Sequence, residues 1–173
     1  YPDVRITVLG DAAAPPADLP TGTPYLGAEE GLVALAAGSF DLVVKSPGIT
    51  PLRPEIAAAK ARGTQFTSST NLWFAYRRRG TVIGITGTKG KSTVASFAAC
   101  LIANGGHDVR LLGNVGTAAI AEEGGRDATV LELSSYQIAD LSHAPDVAAI
   151  NNLFPEHVPW HGSLEAYYTD KLR

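Results

Sequence analysis

The stretch Val82-Ile83-Gly84-Ile85-Thr86-Gly87-Thr88-Lys89-Gly90-Lys91-Ser92-Thr93 decides the fold. Its apolar start reads as a buried β-strand, its glycines as a tight turn, and the residues after Ser92 as a helix running to Asn104. Gly87 and Gly90 permit backbone angles and close approaches that a Cβ would forbid. Neighbouring N–H groups, with the positive end of the following helix, then form a cradle for phosphate. Within that cradle Gly87, Thr88, Lys89, Gly90, Lys91, Ser92 and Thr93 are the candidate nucleotide-binding residues. Lys91 supplies a point charge for the outer phosphates and the Ser92 hydroxyl suits magnesium. The strict pattern of Gly, four residues, then Gly-Lys-Ser/Thr fails at one place, because Ile85 stands where the first glycine belongs.

Strands alternate with helices on both sides of this loop. Strands are expected over 4–9, 40–44, 65–67, 82–86, 109–112, 129–133 and 147–150. Helices are expected over 28–37, 54–62, 71–79, 92–104, 118–122 and 163–173, the last with Ser163 as N-cap. Near-continuous apolar strands interleaved with helices describe an α/β chain with a parallel sheet covered on both faces. A boundary is expected near Gly80, dividing an incomplete Rossmann-like domain over 1–79 from the first part of a P-loop-type parallel-sheet ATPase domain over 80–173.

Composition excludes several classes. The 173 residues are 45% hydrophobic and 18% charged, with a net charge of −3, which describes a folded chain without a general attraction to nucleic acid or membrane. No apolar run reaches the roughly 18 residues of a membrane span. Arg77-Arg78-Arg79 is expected as the solvated end of a helix. Cys100, the single cysteine, is expected in the core of its helix. A cytoplasmic setting and a monomer are the default expectations. The absence of methionine, the start at Tyr1 and the finish at Arg173 within an apparent helix lead us to expect a piece of a longer protein.

Other candidate chemistry lies at strand ends, where ligands of such sheets gather. Glu132, in Leu131-Glu132-Leu133-Ser134-Ser135, is placed to hold magnesium opposite Ser92. His157 and His161 are four apart, a zinc-like spacing, but Pro155, Pro159 and Gly162 argue against a regular helix, and the spacing alone leaves their role open. Asn114 is by composition a turn residue, and Lys171 a solvated helical lysine.

Taken as a set, Ser46-Pro47-Gly48-Ile49, Gly87 to Thr93, Gly113-Asn114-Val115-Gly116, Leu131 to Ser135, Glu156-His157 and Lys171-Leu172-Arg173 occur in the order and spacing of the Mur ligases. The chain resembles that family from about Val4 to its last residue, and within it the branch that adds glutamate to UDP-N-acetylmuramoyl-L-alanine in peptidoglycan synthesis. The resemblance implies an N-terminal domain for the UDP moiety, a central ATPase domain and a C-terminal domain missing here. It further implies ATP-driven ligation through an acyl phosphate, with two magnesium sites. Lys91, His157 and Lys171 are then catalytic; Ser92, Glu132, His157 and a carbamylated Lys171 hold metal; Ser46, Pro47, Gly48, Asn114 and His157 meet the UDP-sugar substrate. Two departures stand out. Lys89 replaces the family's Asn or His, and Glu156-His157-Val158-Pro159 replaces Asp-His followed by Leu/Met-Asp. Lys89 together with Asn152-Leu153-Phe154-Pro155-Glu156-His157 suggests a branch of the family that adds L-glutamate, but the hand of the glutamate stays open, because the resemblance puts the deciding residues in the C-terminal domain. The rival readings are a folylpolyglutamate-type ligase and a nucleotide-binding switch that does not ligate.

Overall fold

The computed structural model describes residues 3–115, 117–122 and 125–173, which fall into two compact units. The smaller unit covers 3–43 and 51–66. Strands β1 (Val8–Leu9) and β2 (Tyr25–Leu26) pair in parallel and lead into helix α1 (Ala28–Ala36). Strand β3 (Leu42–Val44), helix α2 (Pro54–Ala61) and strand β4 (Gln65–Thr67) follow, and β3 pairs with β4. Proline occupies the first turn of α2, where its missing N–H costs nothing. Leu35, Ile56 and Ala59 form the unit's core, with Phe40, Val43 and Phe66 packed around them. The strand expected over 4–9 shrinks to Val8–Leu9. Val4 and Ile6 are exposed, and only the last two positions find a ladder partner in β2.

The larger unit covers 44–50 and 67–173. It runs through α3 (Ser69–Tyr76), β5 (Thr81–Thr86), α4 (Lys91–Asn104), β6 (Val109–Gly113), a 3-10 turn (Ala119–Ala121), β7 (Ala128–Glu132), α5 (Ser135–Ala139), β8 (Val147–Ile150), α6 (Val158–His161) and α7 (Leu164–Lys171). The division differs from the Gly80 boundary expected from the sequence. Trp73 and Phe74 of α3 are buried with Val82, Leu112, Leu131 and Ile138, so that helix is part of the larger core.

Strands β6, β7, β5 and β8 form one sheet in that order, parallel throughout. On one face α4 lays Val94, Ala95, Ala98, Ala99 and Ile102 over Ile83, Ile85, Val130 and Leu111. On the other lie Trp73, Phe74, Ala119 and Ile138. Both faces are thus covered, which is why β7 reads as an unbroken buried run. Cys100 is a correction: it is exposed, one position past the stripe that α4 turns to the sheet. The arginine cluster also lies past its helix, which stops at Tyr76, and Arg78 forms an ion pair with Asp146. Among the described residues no helix is long and apolar enough to cross a membrane.

Register brings the strand ends into line. Ile85 pairs with Glu132, Gly113 with Glu132, and Thr86 with Ile150. The loops after all four strands therefore open at one edge. Leu131 is fully buried in the inner strand β7. Leu131→Ala is expected to destabilise this unit by about 2–5 kcal/mol, read as a fall in the denaturant midpoint at unchanged slope.

Candidate functional site

At that edge lies a cavity of about 450 Å³, lined by residues 88–93 together with Asn114, Glu132, Glu156 and His157. Gly90 is the N-cap of α4 and holds a left-handed conformation, φ 74°. A Cβ there would lie 2.9 Å from Asn151 Nδ2, and one on Gly87 would lie 3.0 Å from Asn151 Cβ. The positive φ at both positions, 153° at Gly87 and 74° at Gly90, favours glycine, and the close passage of the chain after β8 leaves little room for a Cβ. No side chain caps the first turn of α4, which leaves its N–H groups and dipole directed at the cavity.

The loop is fastened from behind by residues the sequence reading left without a role. Asn152 Oδ1 accepts the Thr88 and Lys89 amides at 3.1 and 2.9 Å, while the Asn151 and Asn152 side chains donate to Lys89 O at 2.8 and 2.9 Å. The Thr88 hydroxyl, buried, meets Tyr167 OH at 2.9 Å and accepts the Phe154 amide at 2.9 Å. Thr88 and Lys89 thus shape the cradle with groups already engaged, and the amides of the first turn of α4 are left to face an anion. Lys91 Nζ donates to Thr88 O at 2.9 Å, folded back over its own loop.

Glu132 is 1% exposed. Its Oε1 accepts from Asn114 Nδ2 at 3.1 Å, whereas Oε2 is buried with no hydrogen-bond partner. Glu132 lines the same cavity as Ser92, and an orphaned carboxylate oxygen on such a residue fits a hard cation, whose binding would satisfy it. No group of three His, Cys, Asp or Glu side chains clusters among the described residues. Magnesium tolerates this, since it takes one or two carboxylates and completes its shell with water and phosphate. Asn114 is held in place by Glu132, and Gly116 of the same motif lies outside the described residues.

His157 sits on left-handed backbone, φ 56°, at the start of the one-turn helix α6. A helical turn does form here despite Pro159, because the proline falls in the first turn where no N–H is needed. The His157 ring packs on Tyr136 with centroids 4.9 Å apart, and its Nε2 lies 3.6 Å from Glu156 Oε2. Glu156 also pairs with Lys89. The Lys89 ammonium, more than His157 or Lys91, holds the Glu156 carboxyl below the usual carboxylate range. The two departures from the family pattern are therefore one feature: a longer acid and a cation, both lining the cavity, that form an ion pair. His161 does not join His157. Its Nδ1 lies 2.6 Å from Asp170 and its Nε2 3.1 Å from Ser135 Oγ, so the zinc spacing is accidental.

Lys171 is buried behind the loop, not on its surface, and donates to Gly87 O at 2.8 Å. Burial, then repulsion from Lys91, push its pKa down to about 8 against a smaller opposing pull from Glu156. Ser46, Pro47 and Gly48 do not line the cavity. They are pinned to α6, where Trp160 Nε1 donates to Gly48 O at 3.0 Å and Thr50 Oγ1 donates to Trp160 O at 2.7 Å. Lys45 lies beneath, bonded to Ile49 O at 2.8 Å and paired with Asp140 at 2.7 Å.

Comparison with known proteins bears on the family and the fold. The Mur ligase middle domain family model matches residues 85–173. A UDP-N-acetylmuramoyl-L-alanine--L-glutamate ligase of Xanthomonas oryzae pv. oryzae is 44% identical over 158 residues, covering 85% of this chain and 34% of that protein. A protein of the same name from Micromonospora sp. is 41% identical, covering 89% of this chain and 33% of that protein. The chain thus spans about a third of the length of the curated relatives it matches. Among solved structures, the UDP-N-acetylmuramate:L-alanyl-gamma-D-glutamyl-meso-diaminopimelate ligase of Neisseria meningitides shares the fold, with a TM-score of 0.55 at 18% identity over 95% of this chain and 58% of that one. The parallel sheet, the phosphate loop and the family match place this chain in the Mur ligase family.

Proposed function

We propose that this chain is part of an ATP-dependent ligase that joins L-glutamate to UDP-N-acetylmuramoyl-L-alanine. The observation that carries the reading is a single cavity that combines an uncapped helix start, Lys91, an orphaned Glu132 oxygen and His157. The names of the 41–44% identical relatives support the amino acid and its hand. The smaller unit is assigned to the UDP-substrate domain and the larger unit, α3 included, to the ATPase domain. The chain spans about a third of the length of its relatives, and the groups that bind glutamate are assigned to the part of the protein outside these 173 residues.

In the proposed reaction the substrate carboxylate attacks the γ-phosphorus of ATP, giving an acyl phosphate and ADP. The amine of glutamate then attacks the acyl carbon, phosphate leaves, and the amine proton passes to solvent or a nearby base. The α4 amides hold the phosphates, and Lys91 turns from Thr88 O to the transferring group, where charge is greatest. Ser92 and Glu132 would hold a first magnesium and His157 would help hold a second; a carbamylated Lys171, which lies behind the loop and does not line the cavity, would join His157 only on leaving Gly87 O. Bound magnesium supplies neutralisation of phosphate charge and orientation of the two reacting oxygens. Asn114 and the Ser46-Pro47-Gly48 loop are assigned to the UDP-sugar substrate.

A depressed pKa makes the lysine modification chemically reasonable. At pH 7.5 about a quarter of a lysine with pKa about 8 is the neutral amine, against about a thousandth of an ordinary one. The neutral amine adds to CO2, one proton is released, and a buried cation becomes an anion beside Lys91.

Three outcomes are expected for the full-length protein. Phosphate release from ATP requires UDP-N-acetylmuramoyl-L-alanine and L-glutamate together; equal activity with D-glutamate would overturn the stereochemical assignment. Lys91→Ala lowers kcat by about a thousandfold or more while the protein stays folded, read in the same coupled assay. Incorporation of 13C-labelled CO2 at Lys171, followed by NMR, rises with pH through a midpoint near pH 8, because the reactive form is the deprotonated one; a midpoint above pH 10 would remove the role assigned to burial.

A further inference from the structure

Behind the phosphate loop, helices α6 and α7 carry a buried polar chain that the proposed roles leave unused. The His161 side chain has no exposed area. Its two ring nitrogens are both committed, Nδ1 to Asp170 Oδ2 at 2.6 Å and Nε2 to Ser135 Oγ at 3.1 Å. Trp160 and Tyr167 meet the ring edge to face, with centroids 4.6 and 5.3 Å away. The order Ser, His, Asp imitates a nucleophilic triad, but Ser135 is 3% exposed and does not line the phosphate cavity. The imidazole is a brace.

What it braces follows from sequence neighbours. Ser135 opens α5 three residues after Glu132, so it is fixed to the end of β7. Asp170 lies in the last turn of α7, directly before Lys171. The Lys171 ammonium reaches Gly87 O at 2.8 Å along a side chain of four methylenes, so its position depends on where that last turn is held. Tyr167 OH, at Thr88 Oγ1, fastens the middle of α7 to the loop, and Arg173, just past the helix, donates from Nη1 to Ala139 O at 3.2 Å on its exposed side. The tie through His161 and Asp170 is the one that reaches the turn directly before Lys171 from the buried side.

We propose that His161 is a positioning residue for Lys171, acting through Asp170 to hold the last turn of α7 against the end of β7. The catalytic consequence rests on the ligase reading above; the positional consequence does not. The test uses the full-length protein with His161→Phe, which fills the same aromatic pocket without a polar partner, and His161→Asn, which can restore the bond to Asp170. Lys171 is footprinted with acetic anhydride in CO2-depleted buffer and followed by peptide mass spectrometry, while kcat and the KM for ATP are measured in the ligation assay. In His161→Phe, Lys171 is expected to acetylate about tenfold faster, and kcat to fall about a hundredfold with the KM for ATP changed less than about threefold, the size expected for an ångström-scale misplacement. His161→Asn is expected to recover part of both. A folded His161→Phe protein with Lys171 still protected and wild-type kcat overturns the inference. So does an equal loss in both variants with the KM for ATP rising in parallel, which would mark a general role in folding. If His161→Phe does not fold, Asp170→Asn is read by the same two measurements. Absence of ligation in the wild-type protein would count against the ligase reading alone, and the Lys171 footprint would still decide this one.

Discussion

The parallel pairing of β5 with β7 is the constraint on which the rest of the site depends. Register sets Ile85 opposite Glu132, so the phosphate loop leaves the sheet beside the carboxylate. Parallel strands need a long crossover, and here the crossover from β5 passes through α4 and β6 before returning as β7. The same ladder places Gly113 opposite Glu132 on the other side, which brings Asn114 within hydrogen-bonding reach of the carboxylate. A shift of one residue would turn Glu132 to the other face of the sheet and separate all three. The apolar residues that enforce the register, Val82, Val130 and Leu131, are fully buried.

Around that ladder the charges are arranged in depth. Glu132 and Lys171 are buried, one with an unsatisfied oxygen and the other with a depressed pKa, while Lys89 and Glu156 meet nearer solvent. Buried charge is costly unless it is matched, and so tends to be found where a ligand supplies the match. The Lys89–Glu156 pair is exposed on the lysine side and contributes little to stability. Both residues line the cavity, with Glu156 Oε2 3.6 Å from His157 Nε2.

Much of the fold was legible because each local signal agreed with the next. Gly90 with Lys91 marked the turn into α4, Ser163 capped α7 by accepting the Ala166 amide, and Pro54 opened α2. The strand over 147–150 was read to the residue. Where the reading failed, the deciding contact was distant in sequence. Val4 and Ile6 look like strand residues, but β propensity matters only where a partner strand exists. Cys100 looks like core, but a small rotation of α4 decides which side meets the sheet. Helix α5 was not foreseen at all, although Ser134 and Gln137 form its capping box, because its five residues are too few to show a period.

The order of motifs by itself determined the phosphate loop, the carboxylate strand and the family resemblance, since each rests on residues adjacent in the chain. It named Lys91, Ser92, Asn114, Glu132 and His157, and folding brings them to one cavity. Tertiary structure alone decided that Asn151 and Asn152 clamp the loop, that Lys89 answers Glu156, that Lys171 is buried behind Gly87, and that His161 serves Asp170 and not a metal. The reason is physical: backbone conformation and capping are set within a few residues, whereas burial, hydrogen-bond partners and pKa arise when separate segments pack together, from nine positions apart for His161 and Asp170 to 84 for Lys171 and Gly87.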